Sequence, residues 1–155
     1  MATSTLVQFL GDGITSPTGA GADTSNRRQV ETFISAGALT KGDWVELDAS
    51  KTGADRALYV KECVGVGTKG NAAALGVTLD AATGAGEQVR IVVAGYVEEA
   101  NVAGATVAGS ALVGPIGTAG RAEIEVPGTT TGSVCGIALA ADATNIAPVF
   151  VVKKF

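Results

Sequence analysis

From Gln29 onward the chain is written in short runs where apolar and polar residues alternate one by one, and this period of two most constrains the fold. Successive side chains leave a strand on opposite sides, so the alternation marks strands that bury one face. QVETFIS alternates throughout. In DWVELD, Val45 and Leu47 share one face, while Trp44, Glu46 and Asp48 take the other. ALYVKECV sets Leu58, Val60 and Val64 against Tyr59, Lys61 and Cys63. ALGVTL aligns Leu75, Val77 and Leu79, and QVRIVVAGYV aligns Val89, Ile91, Val93 and Val97. AEIEVP turns Glu123 and Glu125 away from Ile124 and Val126, and SVCGIAL and PVFVVKK close the chain. The runs are rich in β-branched residues and punctuated by Gly, Pro, Asn and Asp. Pro127 and Pro148 fall at strand ends, where a missing N–H is harmless. Helix signals are weak: NAAAL and LDAATGAGEQ could form a turn, but Gly84 and Gly86 break the second. The expected fold is all-β, a compact β-sandwich or barrel of about eight or nine short strands.

One phrase is written twice. GVTLDAATGAGEQVRIVV begins at Gly76, and GIALAADATNIAPVFVVK begins sixty residues later at Gly136. Without a gap, Val77 meets Ile137, Leu79 meets Leu139, Val89 meets Val149 and Ile91 meets Val151. AGALTKGDWVEL precedes the first copy and AGATVAGSALVG the second; RALYVKECV and RAEIEVP follow these in turn. An internal pseudo-duplication is expected, with halves at about 36–95 and 104–153. Each half-sheet would cover the apolar side of the other. Chance similarity among small residues is the alternative.

Composition narrows the chemistry. With 46% hydrophobic and 17% charged residues the chain can build a core, and with 5% aromatics that core must be Val, Ile, Leu and Ala. A net charge of −4 gives no basic footprint for nucleic acid and argues against anionic membrane surfaces. The absence of His removes the commonest general base and metal ligand, and with them Ser-His-Asp and Cys-His catalysis within one chain. Cys63 and Cys135 read as two small buried apolar side chains, with a single bridge as the alternative. MATSTLVQFLGDG has no basic start and no long apolar run, so synthesis in a cytoplasm without export or a signal peptide is expected.

Residues 1–28 differ from the β domain at 29–155. GDGITSPTGAGADTSNRR is a Gly/Thr-rich spacer behind a small apolar patch of Leu6, Val7, Phe9 and Leu10. It reads either as a free tail or as an extended N-terminal arm whose patch docks on a neighbour. Arg27 and Arg28, where arm meets body, are ordinary surface or a docking contact for an acidic partner. Trp44 with Tyr59, and Tyr96 with Phe150, are sheet-packing positions or interface anchors.

No motif carries chemistry. GVGTKG at 65–70 fits a dinucleotide loop only if a helix follows, and the sequence that follows, NAAALGVTL, reads as a strand. Glu98 and Glu99 are neighbours on a strand and point to opposite faces, so they cannot share a proton. Glu123 and Glu125 share a face and read as solvated. No catalytic, cofactor-binding or metal-binding residue is assigned, and no cofactor is expected.

The segments ALTKGDWV at 38–45, AALGVTLDAATGAGEQVRIVVAGYV at 73–97 and GIAL at 136–139 before a final V-x-V-V strand resemble the capsid decoration (cement) proteins of tailed bacteriophages. The resemblance covers about residues 36–155; the long Gly/Thr-rich start departs from it. It implies a structural protein with no active site, a homo-oligomer with a trimer favoured, bound to the major capsid protein on the outer surface of the head. Leu6, Val7, Phe9, Leu10, Arg27, Arg28 and Trp44 are then the candidate capsid or subunit contacts. A tail or fibre component is the alternative within the same class. A small-ligand or carbohydrate-binding β domain, using Trp44 and Tyr96 beside Glu98, is the alternative outside it.

Overall fold

The computed structural model describes residues 28–65, 69–126, 128–129 and 132–152. Nine strands follow in chain order: β1 (Gln29–Ser35), β2 (Trp44–Leu47), β3 (Tyr59–Glu62), β4 (Ala74–Thr78), β5 (Gln88–Asn101), β6 (Ala111–Val113), β7 (Glu123–Ile124), β8 (Val134–Ala138) and β9 (Ile146–Val151). A short 3-10 turn at Gly53–Ala57 is the only helical element among the described residues. Each alternating run thus forms a strand, and the Ala-rich stretches do not form helices.

The strands lie in the order β1-β3-β2-β4-β5-β9-β8-β6-β7, and β1 also pairs with β5. That extra pairing closes β1, β3, β2, β4 and the first part of β5 into a five-stranded barrel, which removes its open edges. Closure comes from Val30↔Val92 through Ile34↔Gln88 on one side of β1 and from the parallel pair Ser35↔Val60 on the other. Phe33, Leu39, Val45, Val60, Leu75, Ala82, Val89, Ile91 and Val93 fill this barrel.

At Gly95 the backbone takes φ 100, a conformation natural to glycine, and β5 passes from the first barrel into a second set of strands. There the second part of β5 pairs with β9 as β1 pairs with β5. The strands β7, β6, β8 and β9 repeat the pairing of β3, β2, β4 and β5. The parallel bridge Val102↔Ala122 joins the residue after β5 to the residue before β7, where Ser35↔Val60 stood in the first set.

The repetition reaches fine detail. In β2 and β4, Trp44↔Val77 and Val45↔Gly76 are followed by Glu46↔Ala74, leaving Leu75 as an extra, bulged residue. In β6 and β8, Ala111↔Ile137 and Leu112↔Gly136 are followed by Val113↔Val134, leaving Cys135 bulged. The amides of Gly42 and Gly109 donate to Thr78 and Ala138, whose own amides donate back to Asp43 and Ser110. Laying QVETFISAGALTKGDWVEL (29–47) over YVEEANVAGATVAGSALVG (96–114) shows the same unit in the sequence. Each unit therefore begins one strand earlier than the 36 and 104 expected. The first unit is a closed five-stranded barrel and the second repeats its pairings with part of β5, so they are not two half-sheets of one sandwich; Trp44, Val77 and Val92 of the first complete the interior of the second.

Three local expectations are corrected. The bulge at Leu75 puts that side chain inside the first barrel, while Val77 and Leu79 face the other cluster. Arg56 lies in the 3-10 turn, so the shared Arg-Ala does not open equivalent strands. Pro148 lies inside β9, but the ladder with β8 stops at Ala138↔Val149, so its missing N–H breaks no pair.

Candidate functional site

Two features of the β-body could carry function: the junction around Trp44 and the outer face of the second unit. At the junction, Asp43 closes the turn that leads into β2. Its carboxylate accepts from the Thr40 amide (2.6 Å) and hydroxyl (2.8 Å), and from Asn101 Nδ2 (2.8 Å). The Asp43 amide donates to Thr78 Oγ1, whose hydroxyl donates to the Thr40 carbonyl at 2.7 Å. The polar groups of the K-G-D-W segment are thus used to join β2, β4 and the end of β5. Glu62 lies against the same turn, since a Cβ on Gly120 would sit 2.8 Å from its carboxylate and 2.9 Å from that of Asp43. Burial, and then the Asp43 charge, raise the Glu62 pKa above the usual carboxylate value. No group of three or more His, Cys, Asp or Glu able to hold a metal occurs among the described residues.

Trp44 leaves this turn pointing out of the first barrel and into the second unit. It has 0% exposure, donates from Nε1 to the Asn101 carbonyl at 3.0 Å, and presses its ring edge on Gly136. A Cβ at Gly136 would come to 3.0 Å from the ring, tighter than an ordinary contact, so glycine lets the indole lie close against β8. At four matched positions the second interior carries side chains smaller than their counterparts in the first. Ala100, Ala122, Cys135 and Ala147 stand where the first unit has Phe33, Val60, Leu75 and Val89. The indole fills the space these leave, and Val77 and Val92, its neighbours on β4 and β5, are buried with it.

The corresponding row of the second unit is open. Ala111, Ile137, Phe150 and Tyr96 lie side by side across β6, β8, β9 and β5, on the face turned away from the interior. Ile137 and Phe150 are 40% and 39% exposed, and Leu139, just beyond β8, is 46% exposed.

The sequence-derived contact residues fare differently. Leu6, Val7, Phe9, Leu10 and Arg27 lie outside the described residues. Arg28 is exposed immediately before β1. Trp44 is corrected from a candidate surface contact to a wholly internal plug, because the side of β2 that carries it packs into the second cluster. That burial also removes the motive for a carbohydrate platform of Trp44 and Tyr96. Glu98 and Glu99 sit at a bulge between Val97 and Ala100 and are both exposed; Glu99 pairs with Lys41 at 2.5 Å and raises its pKa. Cys63 and Cys135 are buried in the second cluster. Gly65 and Gly70 lie tight against Ile116, Val113 and Gly114, so these two glycines serve close packing, and β4 follows them as a strand. The open row, which sequence reading missed, was signalled in the repeat by Ile137 standing opposite Val77; Phe150 answers Val92 only in the strand register, where Val149 matches Ile91 and not the Val89 of the gapless alignment.

No family model and no curated protein matches the chain. Among solved structures it is similar to the N base of head fiber gp8.5 in bacteriophage phi29. The TM-score is 0.50 at 12% identity, over 81% of this chain and 94% of that one. The likeness is one of fold.

Proposed function

We propose that this chain is a structural part of a phage virion, a head decoration (cement) protein that binds the outer surface of the mature capsid and bridges neighbouring capsomers. The observation that carries the reading is the fold shared with a phage head fiber base across most of both chains. The segments at 38–45, 73–97 and 136–139 support it independently, through their resemblance to decoration proteins. The geometry suits such work. Asp43, Thr78 and Asn101 hold the body rigid, and the second unit offers an uncharged apolar row. A protein that binds the assembled shell, and not its loose parts, stabilises the assembly by mass action. Many copies on a symmetric lattice multiply a modest contact. In this reading the partner is the major capsid protein and the chain acts without a cofactor.

The test is to mix purified protein with undecorated mature heads and with unexpanded shells. Stoichiometric binding to mature heads, with a raised disruption temperature, is the expected result. Failure to bind either particle refutes it. The name of the structural neighbour favours one second reading, a fibre-base component. Imaging of labelled virions separates the two, since a decoration protein covers the shell at every equivalent capsomer and a fibre base marks scattered attachment points.

A further inference from the structure

An amine, a carboxylate and a carboxamide meet across β3, β2 and the approach to β4. Lys61 stands directly opposite Glu46 in the antiparallel register, and its Nζ lies 3.2 Å from Glu46 Oε1. From the other side, Asn71 Nδ2 donates to Glu46 Oε2 at 2.5 Å. One carboxylate thus holds both other groups at once. Glu46 and Asn71 are buried, while the Lys61 side chain is 42% exposed. The pairs Lys41–Glu99 and Arg90–Asp80 lie nearer solvent, with no buried carboxylate. The fold does not require the triad: in the second unit the register puts Val113 and Glu123 where Glu46 and Lys61 stand, and the strands pair all the same. Taking a carboxylate out of water costs free energy, so its burial in the first unit alone calls for a reason. The carboxamide is also fixed and polarised. Asn71 Oδ1 accepts the Ala73 amide at 2.8 Å, and Nδ2 donates to the Val64 carbonyl at 2.8 Å as well. The Ala73 amide therefore points at the oxygen that gathers negative charge when a nucleophile adds to Cγ.

We propose that Lys61 and Asn71 join in an isopeptide bond within the chain, with Glu46 carrying the proton. Glu46 takes a proton from the Lys61 ammonium, and the freed amine adds through its lone pair to Asn71 Cγ. Glu46, whose Oε2 already touches Nδ2, hands the proton on to that nitrogen. The Cγ–Nδ2 bond breaks and ammonia leaves. The second proton shed by the lysine nitrogen goes to the ammonia, so ammonium departs, charge and atoms balance, and no oxidant or co-reactant is needed. Holding both reactants on one carboxylate replaces a bimolecular encounter, and the flexible, partly exposed lysine stem supplies the remaining movement. The product ties β3 to the approach to β4 across β2. The inference concerns chemistry inside one chain and stands whether or not the protein binds a capsid.

The test is intact-mass spectrometry of the full chain, incubated until its mass is constant. Wild type is expected about 17 Da below the mass its residues sum to, with Met1 kept or removed, which is the loss of one ammonia. Tryptic digestion is expected to yield one branched species, uncleaved at Lys61, that joins residues 57–69 to residues 70–90. Lys61→Arg keeps a cation beside Glu46 but offers no nucleophilic amine, and Glu46→Gln keeps the shape but carries no proton. Both are expected at their full mass. Lys61→Arg changes a partly exposed side chain, so it keeps the comparison decisive if Glu46→Gln fails to fold; circular dichroism checks each. A folded wild type that keeps its full mass overturns the proposal, and the three side chains are then a hydrogen-bonded cluster only. An ammonia loss that persists in Lys61→Arg, or that comes without the branched peptide, also overturns it.

Discussion

Substituting Trp44 by Phe and Gly136 by Ala, singly and together, tests whether the indole holds the two units together. The atoms of Trp44 that approach Gly136 are Cη2 and Cζ2, both absent from phenylalanine. Trp44→Phe deletes roughly 40 Å³ of buried ring, and at ~24 cal/mol per Å³ of residual cavity that costs about 1 kcal/mol. The Asn101 carbonyl also loses the Nε1 donor, though it keeps the Ala122 amide at 3.1 Å, which adds about 1 kcal/mol. The single variant is expected to lose about 2 kcal/mol in urea unfolding, with the slope unchanged. Gly136→Ala drives a methyl to 3.0 Å from the ring and 3.2 Å from the Phe150 carbonyl, an overpacking cost of about 1–3 kcal/mol. In the double variant the methyl occupies the space the ring has left. The pair is therefore expected to be more stable than the sum of the singles by about 1 kcal/mol or more. Additive losses would mean that ring and glycine are not in contact, and the account of the junction would fail.

Further outcomes follow from other residues. Thr106 occupies the place of Leu39 in the second unit, and its buried hydroxyl finds no hydrogen-bond partner. Thr106→Val is expected to raise stability by about 1 kcal/mol, read by urea unfolding; a loss would show a hidden partner. The raised Glu62 pKa means that the folded state takes up a proton more readily than the unfolded one. Its stabilising contribution is present below the unfolded pKa and lost as pH rises through the folded value. Glu62→Gln is expected to stabilise at pH 7 and to flatten the stability profile above pH 4, which melts at several pH values check. Asp80 runs the other way: the Arg90 guanidinium, at 2.7 and 2.9 Å, lowers its pKa to about 2. Its contribution is present above the unfolded carboxylate value and lost as pH falls towards 2; Asp80→Asn should cost at most about 1 kcal/mol at pH 7, because the pair is largely exposed.

The strands were legible because each buries at least one face, and a period of two survives in QVETFIS, DWVELD and QVRIVV whatever lies opposite. Phase was less legible. A bulge advances one strand by a residue against its partner, so Leu75 turned inward without any change of composition. Closure was illegible from local pattern, since the β1–β5 pairing joins residues about sixty apart and β1 looks like any half-buried strand. Trp44 misled for a related reason. Its companions on that face, Glu46 and Asp48, suggested solvent, yet Glu46 is buried by Asn71 and Lys61 and Asp48 by its own turn with Ser50. The phrase repeated after Gly76 and Gly136 pointed to two units. The start of each could be read from YVEE and QVET, which carry the same valine and glutamate in step.

The two units are not interchangeable, and their difference decides which face the molecule keeps open. Where the first unit spends volume inside, with Phe33, Val60, Leu75 and Val89, the second has Ala100, Ala122, Cys135 and Ala147. A set of small side chains leaves a cavity, and close packing requires that something fill it. Trp44 does so from outside, and it carries its whole row under cover. The second unit has Ala111 at that position and reaches into no third unit, so its row of Ile137 and Phe150 ends at the surface. One exchange of large for small, repeated at matched positions, thus fixes the placement of the second unit on the barrel and the location of the apolar face. Any partner of that face must meet a shallow surface of side chains on strands, held by area and shape and not by a socket.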